Sequence, residues 1–105
     1  MTIAAVNTLE IRINPEADPQ LEPQLRSCTA RIENMPGCLG YSLIRSTGED
    51  GLWILSGYWS SSEAMTAHFS SEPMTEIVSA LIESCAHLTF SRLAPVLAEA
   101  QSDGV

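Results

Sequence analysis

The sequence predicts an α+β fold in which strands and helices follow the order β-α-β-β-α-β. Apolar and polar residues alternate from Ile3 to Ile13, which is typical of a strand with one buried face. A tight-turn signal, TGEDG at Thr47–Gly51, separates two further strand-like runs. One stretch with apolar residues at helical spacing lies on each side of that hairpin.

The first strand and the first helix come from the N-terminal third of the chain. Asn7 is the single polar residue on the apolar face of the strand. Asn14–Gln20 is rich in proline and acidic residues and is predicted to be a loop. We expect regular helix to begin near Pro23, with Asp18–Glu22 as a looser lead-in, because proline deep in a helix loses a hydrogen bond. The apolar helical stripe consists of Leu21, Leu25, Cys28, Ile32 and Met35.

The second and third strands form a predicted hairpin. Cys38–Ser46 places Leu39, Tyr41 and Leu43 on one face. Leu52–Trp59 is apolar on both faces, which indicates that both faces of this strand are covered.

A second helical region follows Trp59. Ser60 and Glu63 have the S-x-x-E spacing of a capping box, so a helix is expected from about Ser61. Pro73 interrupts this helix, because the residue before a proline avoids the α conformation. Beyond the interruption a strongly apolar helical face comprises Met74, Ile77, Val78, Leu81 and Ile82.

The chain closes with a fourth strand at Ala86–Leu93, which places Leu88 and Phe90 on one side. Residues 98–105 are predicted to be a polar tail, which leaves one domain at 1–97. This order of elements is the ferredoxin-like split β-α-β arrangement, in which an antiparallel sheet carries both helices on one face. The other face is partly apolar and uncovered, so we predict a two-fold homodimer that buries the open faces.

Charge and composition exclude several classes of function. Thirteen acidic residues face five basic ones, all arginine, for a net charge of −8. Such a chain lacks the basic footprint of a nucleic-acid binder, and anionic membrane surfaces are equally unsuited as partners. The absence of lysine excludes a side-chain Schiff base. Neither a membrane span nor a secretory leader is evident, and we predict a cytoplasmic protein.

The three cysteines do not indicate a metal or redox site. Cys28, Cys38 and Cys85 are odd in number and contain no CxxC pair. We interpret them as small thiols in a reducing compartment and predict no metal site.

Two segments together resemble the antibiotic biosynthesis monooxygenase (ABM) family. The first is MPGCLGYSL, with Pro36, Gly37 and Tyr41, and the second is YWSSSEAMTAHF, with Trp59 and His68. The resemblance covers nearly the whole domain. It implies a dimeric α/β barrel with a pocket in each subunit between the sheet and its helices. It also implies chemistry that differs among members, including cofactor-independent oxidation of quinol-like aromatics and degradation of haem.

The resemblance is incomplete at two places. A downstream "SPH" motif of the family is replaced by Ser71-Glu72-Pro73-Met74, which removes a histidine. Haem-degrading members carry an iron-ligating histidine near the position of Val78, and a tryptophan where His68 stands here. We therefore expect no cofactor and no tight haem site.

His68 and Asn7 are the candidate catalytic residues, because each is a polar residue within an otherwise apolar element. His68 could take a proton from a phenolic substrate at neutral pH, and Asn7 could stabilise developing charge on oxygen. A structural role for either residue explains the pattern as well. Candidate substrate-binding residues are Tyr41, Trp59, Trp53, Met65 and Ser56. Trp53 and Trp59 have the same parity and are expected on one face of their strand. The role of His87 stays open.

The favoured hypothesis is a monooxygenase that uses O₂ on a small electron-rich aromatic molecule without metal or flavin. The alternative is a dimeric domain that binds a small molecule, or only supports structure, without turnover; the missing "SPH" histidine favours it. An isomerase on the same fold would need a second acid or base opposite His68, and the sequence identifies none.

Overall fold

The computed structural model describes residues 2–13, 19–84 and 87–96, which contain four strands and three helices. In chain order these are β1 (Ala5–Arg12), α1 (Leu21–Glu33), β2 (Cys38–Arg45), β3 (Leu52–Trp59), α2 (Ser62–His68), α3 (Glu72–Glu83) and β4 (His87–Leu93). None of these helices is long and apolar enough to cross a membrane. The predicted tail at 98–105 and Cys85 lie outside the described residues.

The strands form one antiparallel sheet with the order β2-β3-β1-β4. This arrangement confirms the predicted ferredoxin-like fold. Directly paired residues on neighbouring strands share a sheet face. The register therefore places Asn7, Gly57 and Tyr41 in one row across three strands. The next row contains Leu9 and Leu55.

The helices cover only one face of this sheet, which we call the covered face; the opposite face is the open face. The apolar core side chains of the covered face are buried against the helices, and each contributes about 1.5–3 kcal/mol by leaving water, whereas Leu88 and Phe90 of the edge strand stay exposed. The core includes Ile11 and Leu55 from the sheet, Leu25 and Ile32 from α1, and Ile77 and Leu81 from α3. The alternation along β1 follows this division, since its odd-numbered residues from Ala5 to Ile11 are buried.

α1 begins at Leu21, two residues before the predicted start at Pro23. Pro23 lies in the first turn, where a main-chain N–H has no partner within the helix. The proline therefore costs no hydrogen bond there. Of the predicted lead-in, Asp18 lies outside the described residues, and Leu21 and Glu22 are already helical.

α2 is capped by Ser61, so the capping box predicted at Ser60 and Glu63 is wrong by one residue. The Ser61 side chain accepts from the Ala64 N–H, and its backbone is extended. The Ser60 N–H donates to the Gly37 carbonyl at 2.9 Å. This bond ties Ser60 to the loop before β2, and the extended N-cap position falls one residue later, at Ser61.

The predicted break near Pro73 is confirmed, because α2 and α3 are separate helices. Ser71 caps α3 by accepting from the Met74 N–H, and Pro73 occupies the first turn. In β2, a register irregularity between Cys38 and Gly40 leaves Leu39 without a direct partner. Of the three residues predicted to share a face, Leu39, Tyr41 and Leu43, Tyr41 is the one in the row of Asn7.

Candidate active site

Four buried side chains form a hydrogen-bonded series on the covered face. Asn7, Trp59 and His68 have no exposed surface, and Tyr41 is 5% exposed. We call these four residues the buried polar chain. Three strands supply Asn7, Tyr41 and Trp59, and the last turn of α2 supplies His68. The sequence selected all four as site candidates, and the structure brings them together.

Hydrogen bonds join the members in a fixed order. Trp59 Nε1 donates to Asn7 Oδ1 at 2.8 Å, and Asn7 Nδ2 donates to Tyr41 Oη at 3.1 Å. Tyr41 Oη lies 3.3 Å from His68 Nε2. His68 Nδ1 lies 2.6 Å from the main-chain oxygen of Met65. The Tyr41 hydroxyl therefore stands between Asn7 and His68.

The contact with Met65 decides the tautomer of His68. A carbonyl oxygen only accepts, so Nδ1 carries the proton and donates it. Nε2 of the neutral ring is then an acceptor, and the Tyr41 hydroxyl donates to it. Donation runs in one direction from Trp59 to Met65. Every buried side-chain nitrogen and oxygen in the described part of the chain has a partner, so this network is complete as it stands.

Gly57 permits the bond between Asn7 and Tyr41. It lies on β3, between these two residues in the same row. A Cβ atom at Gly57 would overlap Asn7 Oδ1 and the Tyr41 ring. The two side chains can therefore meet across β3 only because this position has no side chain. Sequence reasoning missed this residue, although a glycine inside an apolar strand is a signal of close approach.

Ring contacts fix the position of the His68 imidazole. It stacks on the Trp59 indole at 4.5 Å between centroids and 27° between planes. The Tyr41 ring meets it edge-on at 5.5 Å. On its other side Phe69 lies 4.6 Å away. The imidazole is therefore held by three aromatic rings as well as two hydrogen bonds.

Burial favours the neutral form of Tyr41 and of His68, the two titratable residues of the buried polar chain. It raises the pKa of Tyr41 to about 12, although the hydrogen bond from Asn7 acts in the opposite direction. Burial also lowers the pKa of His68, against the effect of its bond to the Met65 carbonyl. A neutral His68 with an acceptor at Nε2 is the form that can receive a proton at neutral pH.

An apolar cavity of about 400 Å³ lies next to the buried polar chain, between the sheet and α3. Two residues that line the cavity also contact the buried polar chain. Phe69 packs on His68, and Met74 Sδ lies 3.9 Å from Tyr41 Oη. The complete lining is Leu9, Phe69, Met74, Val78, Leu88 and Phe90. Space for a small molecule and groups able to move a proton are therefore adjacent, with Phe69 and Met74 between them.

Of the other predicted binding residues, Met65 belongs to the site, and Trp53 and Ser56 lie away from it. Met65 is buried and supplies the carbonyl that holds His68. Trp53 shares the covered face with Trp59 as expected. It lies six residues along the strand, about 20 Å away, so the two indoles form no common wall. Ser56 pairs with Thr8 and Ser42 on the open face.

The remaining candidates for chemistry are remote or unreactive. His87 pairs with Arg12, an open-face position, and is exposed. Cys28 is buried and Cys38 half-buried, and burial raises the pKa of both thiols. A raised pKa keeps a thiol protonated and poorly nucleophilic, which agrees with a packing role.

The residues around the cavity do not fit a haem iron held by an imidazole. Within the described ranges, no three His, Cys, Asp or Glu side chains are grouped to hold a metal ion. The cavity lining offers the Met74 thioether as its one possible iron ligand. Both nitrogens of His68 are already hydrogen-bonded, to Tyr41 and to Met65.

Solved structures with the same fold include proteins from several bacteria. SnoaB of Streptomyces nogalater, described as a cofactor-independent oxygenase, is similar with a TM-score of 0.75 and 13% identity, covering 90% of this chain and 94% of that protein. Rv0793 of Mycobacterium tuberculosis has a TM-score of 0.74 and 21% identity, with 88% and 95% covered. At these identities the likeness shows the fold.

Sequence relatives and a family match give information beyond the fold. Two mycobilin-producing heme oxygenases, from two strains of Mycobacterium tuberculosis, are 30% identical over 67 residues. That stretch is 64% of this chain and 62% of each relative. The family described as antibiotic biosynthesis monooxygenase matches residues 3–80, about three quarters of the 105 residues. The chain therefore belongs to the antibiotic biosynthesis monooxygenase family.

Proposed function

We propose that the chain is a monooxygenase that oxidises a small, electron-rich aromatic molecule with O₂ and without a cofactor. One observation carries this proposal: an apolar cavity lies beside a complete hydrogen-bonded chain that ends in a neutral imidazole. The fold that it shares with a cofactor-independent oxygenase, SnoaB, agrees with it.

The proton of a phenolic substrate would leave through Tyr41. The substrate hydroxyl donates to Tyr41 Oη while the Tyr41 proton passes to His68 Nε2, which lies 3.3 Å away. The resulting imidazolium keeps its Nδ1–H bond to the Met65 carbonyl. For a substrate to reach Tyr41 Oη, the Met74 side chain must move aside. A flexible thioether does this readily.

Oxidation then needs no external reductant. The deprotonated aromatic gives one electron to O₂, and the two radicals combine to form a carbon–oxygen bond. Loss of the C–H proton at that carbon from the peroxide, with cleavage of the O–O bond, leaves a carbonyl and releases water. The phenolic O–H, one ring C–H and O₂ thus become two C=O groups and H₂O. Asn7 donates to Tyr41 Oη and would stabilise charge on that oxygen.

Haem degradation is the activity named for the curated relatives, and the described cavity lacks the imidazole ligand that it would need. We therefore infer no haem step for this chain. A titration with haemin is expected to give no Soret shift at micromolar protein. Micromolar or tighter binding would contradict this inference.

We also propose that two chains associate through their open faces. Several large apolar side chains of this face are exposed, namely Ile44 at 54%, Leu93 at 51% and Tyr58 at 37%. Sedimentation at micromolar concentration is expected to give twice the chain mass. Ile44→Glu should shift the equilibrium toward the single chain.

Oxygen uptake with a panel of quinols and anthrones tests the catalytic proposal, after subtraction of the rate without protein. Tyr41→Phe removes the relay and should lower the protein-dependent rate about 100-fold. His87→Gln changes an exposed imidazole on the open face and should leave the rate unchanged. No uptake with any compound would leave the binding-only alternative in place, and an unaltered rate in Tyr41→Phe would contradict the proton path through Tyr41.

A further inference from the structure

We propose that the cavity takes aromatic ligands that carry an acidic group, and that Arg92 binds this group. The proposal concerns the same cavity as the proposed oxygenase function, but it is a statement about ligand binding. It depends on three observations: the place of Arg92 in the sheet, its lack of a carboxylate partner, and the apolar lining beside it.

The strand register places Arg92 at the end of the cavity next to the buried polar chain. In β4, Arg92 pairs with Asn7 and Phe90 pairs with Leu9, so all four residues share the covered face. Phe90 and Leu9 line the cavity. Arg92 follows Phe90 by two residues on the same side of the strand, a rise of about 7 Å. Its position on the strand is therefore one residue pair beyond the cavity lining, in the row that contains Asn7, and its side chain is exposed.

Arg92 has no ion-pair partner within the described part of the chain, whereas three other arginines have one. Arg12 pairs with Glu49, Arg26 with Glu22, and Arg31 with both Glu72 and Glu76. β4 contains no acidic residue.

β1 has a single acidic residue, Glu10, which pairs with Ile54 and Thr89 on the open face. An arginine with no carboxylate beside it is notable in a chain of net charge −8, because most cations here have an acidic neighbour. The covered side of β1 and β4 thus presents a positive charge with no carboxylate on that side of either strand to neutralise it.

The cavity needs such a group to orient a ligand. Its six lining residues are all apolar, so they favour burial of an aromatic body without fixing its direction. A guanidinium binds a carboxylate or sulfonate through two parallel N–H donors. Because Arg92 and Asn7 are paired across neighbouring strands, the acidic group would sit at the end of the ligand nearest Tyr41. Ligands with an acidic group close to the reacting position are therefore the class we expect.

Two fluorescent probes that differ only by the acidic group test the proposal. 8-Anilinonaphthalene-1-sulfonate carries a sulfonate, and N-phenyl-1-naphthylamine has the same ring system without it. Arg92→Gln is expected to raise the Kd of the sulfonate probe about fivefold and to leave that of the neutral probe unchanged. Arg45→Gln is the matched control, since Arg45 also lacks a described partner but lines a separate pocket near Trp53. It should change neither Kd.

A cavity-filling variant, Val78→Trp, separates the cavity from the open face as the binding place. It should weaken binding of both probes by at least tenfold. Equal effects of Arg92→Gln on both probes, no effect on either, or full binding by Val78→Trp would each overturn the proposal. Probe binding is independent of oxygen uptake. A chain that shows the selective loss without turnover would refute the oxygenase function and retain this site.

Discussion

The buried polar chain and the neighbouring cavity have opposite properties. In the buried polar chain, each polar side-chain atom has a hydrogen-bond partner, and three aromatic rings pack closely around His68. In the cavity, about 400 Å³ of space is lined by six apolar side chains without a polar group among them. One region can move a proton, and the other can hold a molecule.

This difference shows how a buried titratable group can be kept neutral close to a binding space. A water-filled cavity in direct contact with His68 would solvate the imidazolium and favour protonation. Phe69 and Met74 separate the two regions and touch both of them. The packing around the chain and the space beside it are therefore parts of one arrangement, and the following changes act on one region at a time.

The largest effect is expected from Gly57→Ala. The added methyl group overlaps Asn7 Oδ1 and the Tyr41 ring, so the buried polar chain must break or β3 must shift. Overpacking of this kind, together with lost buried hydrogen bonds, should lower the free energy of unfolding by about 3 kcal/mol. Urea denaturation followed by tryptophan fluorescence measures the change.

Gly40→Ala is the matched control for this glycine. Gly40 also lies in a strand next to β3, but an added Cβ would meet Tyr58 at an ordinary contact distance of 3.8 Å. Its unfolding free energy should stay within about 0.5 kcal/mol of the wild type. Equal stability of the two variants would show that Asn7 and Tyr41 need no glycine between them.

Gly57 also illustrates what the sequence could and could not predict. Alternation within the first strand placed Asn7 on the buried side, and that local pattern was sufficient to select it, whereas Trp59 was selected from its place at the end of the third strand and from the family resemblance. The meeting of Asn7 with Tyr41 depends on strand order, since β3 lies between their strands. Because the same order determines which strand position needs a glycine, no single-strand pattern identified it. Ser56 was selected for being polar in an apolar strand, and only the sheet geometry places it on the open face.

The cap of α2 is a second case in which tertiary contacts decided a local feature. The S-x-x-E spacing favoured Ser60, but the Ser60 amide bonds to Gly37 and the N-cap is Ser61, so the helix begins at Ser62. Helix α2 carries both His68 and the Met65 carbonyl, so its cap stabilises the buried polar chain rather than the cavity.

Ser61→Ala is therefore expected to cost about 1 kcal/mol of stability. Ser60→Ala should cost nothing measurable by the same urea denaturation. A larger loss of stability in Ser60→Ala than in Ser61→Ala would instead support the capping box that the sequence predicted at Ser60.

The smallest expected effect is on the pH dependence of the free energy of unfolding, which should distinguish the two regions. None of the six cavity-lining residues titrates, so of these two regions only the buried polar chain can contribute to this dependence. Burial lowers the pKa of His68 in the folded protein below the ordinary value of 6.5. Between the lowered and the ordinary pKa the unfolded state binds more protons, so stability falls as the pH falls through this window. Above the ordinary value both states are neutral and His68 contributes no slope.

A comparison of variants isolates this contribution from that of the carboxylates. The free energy of unfolding of the wild type and of His68→Gln, measured from pH 7.5 to pH 5, should differ in slope, with the steeper acid loss in the wild type. Ser60→Ala changes no titratable group and should keep the wild-type slope. If His68→Gln and the wild type lose stability in parallel, His68 is not held neutral by its surroundings. The pKa of the folded imidazole would then equal its ordinary value, and the separation of the two regions by Phe69 and Met74 would not be what favours its neutral form.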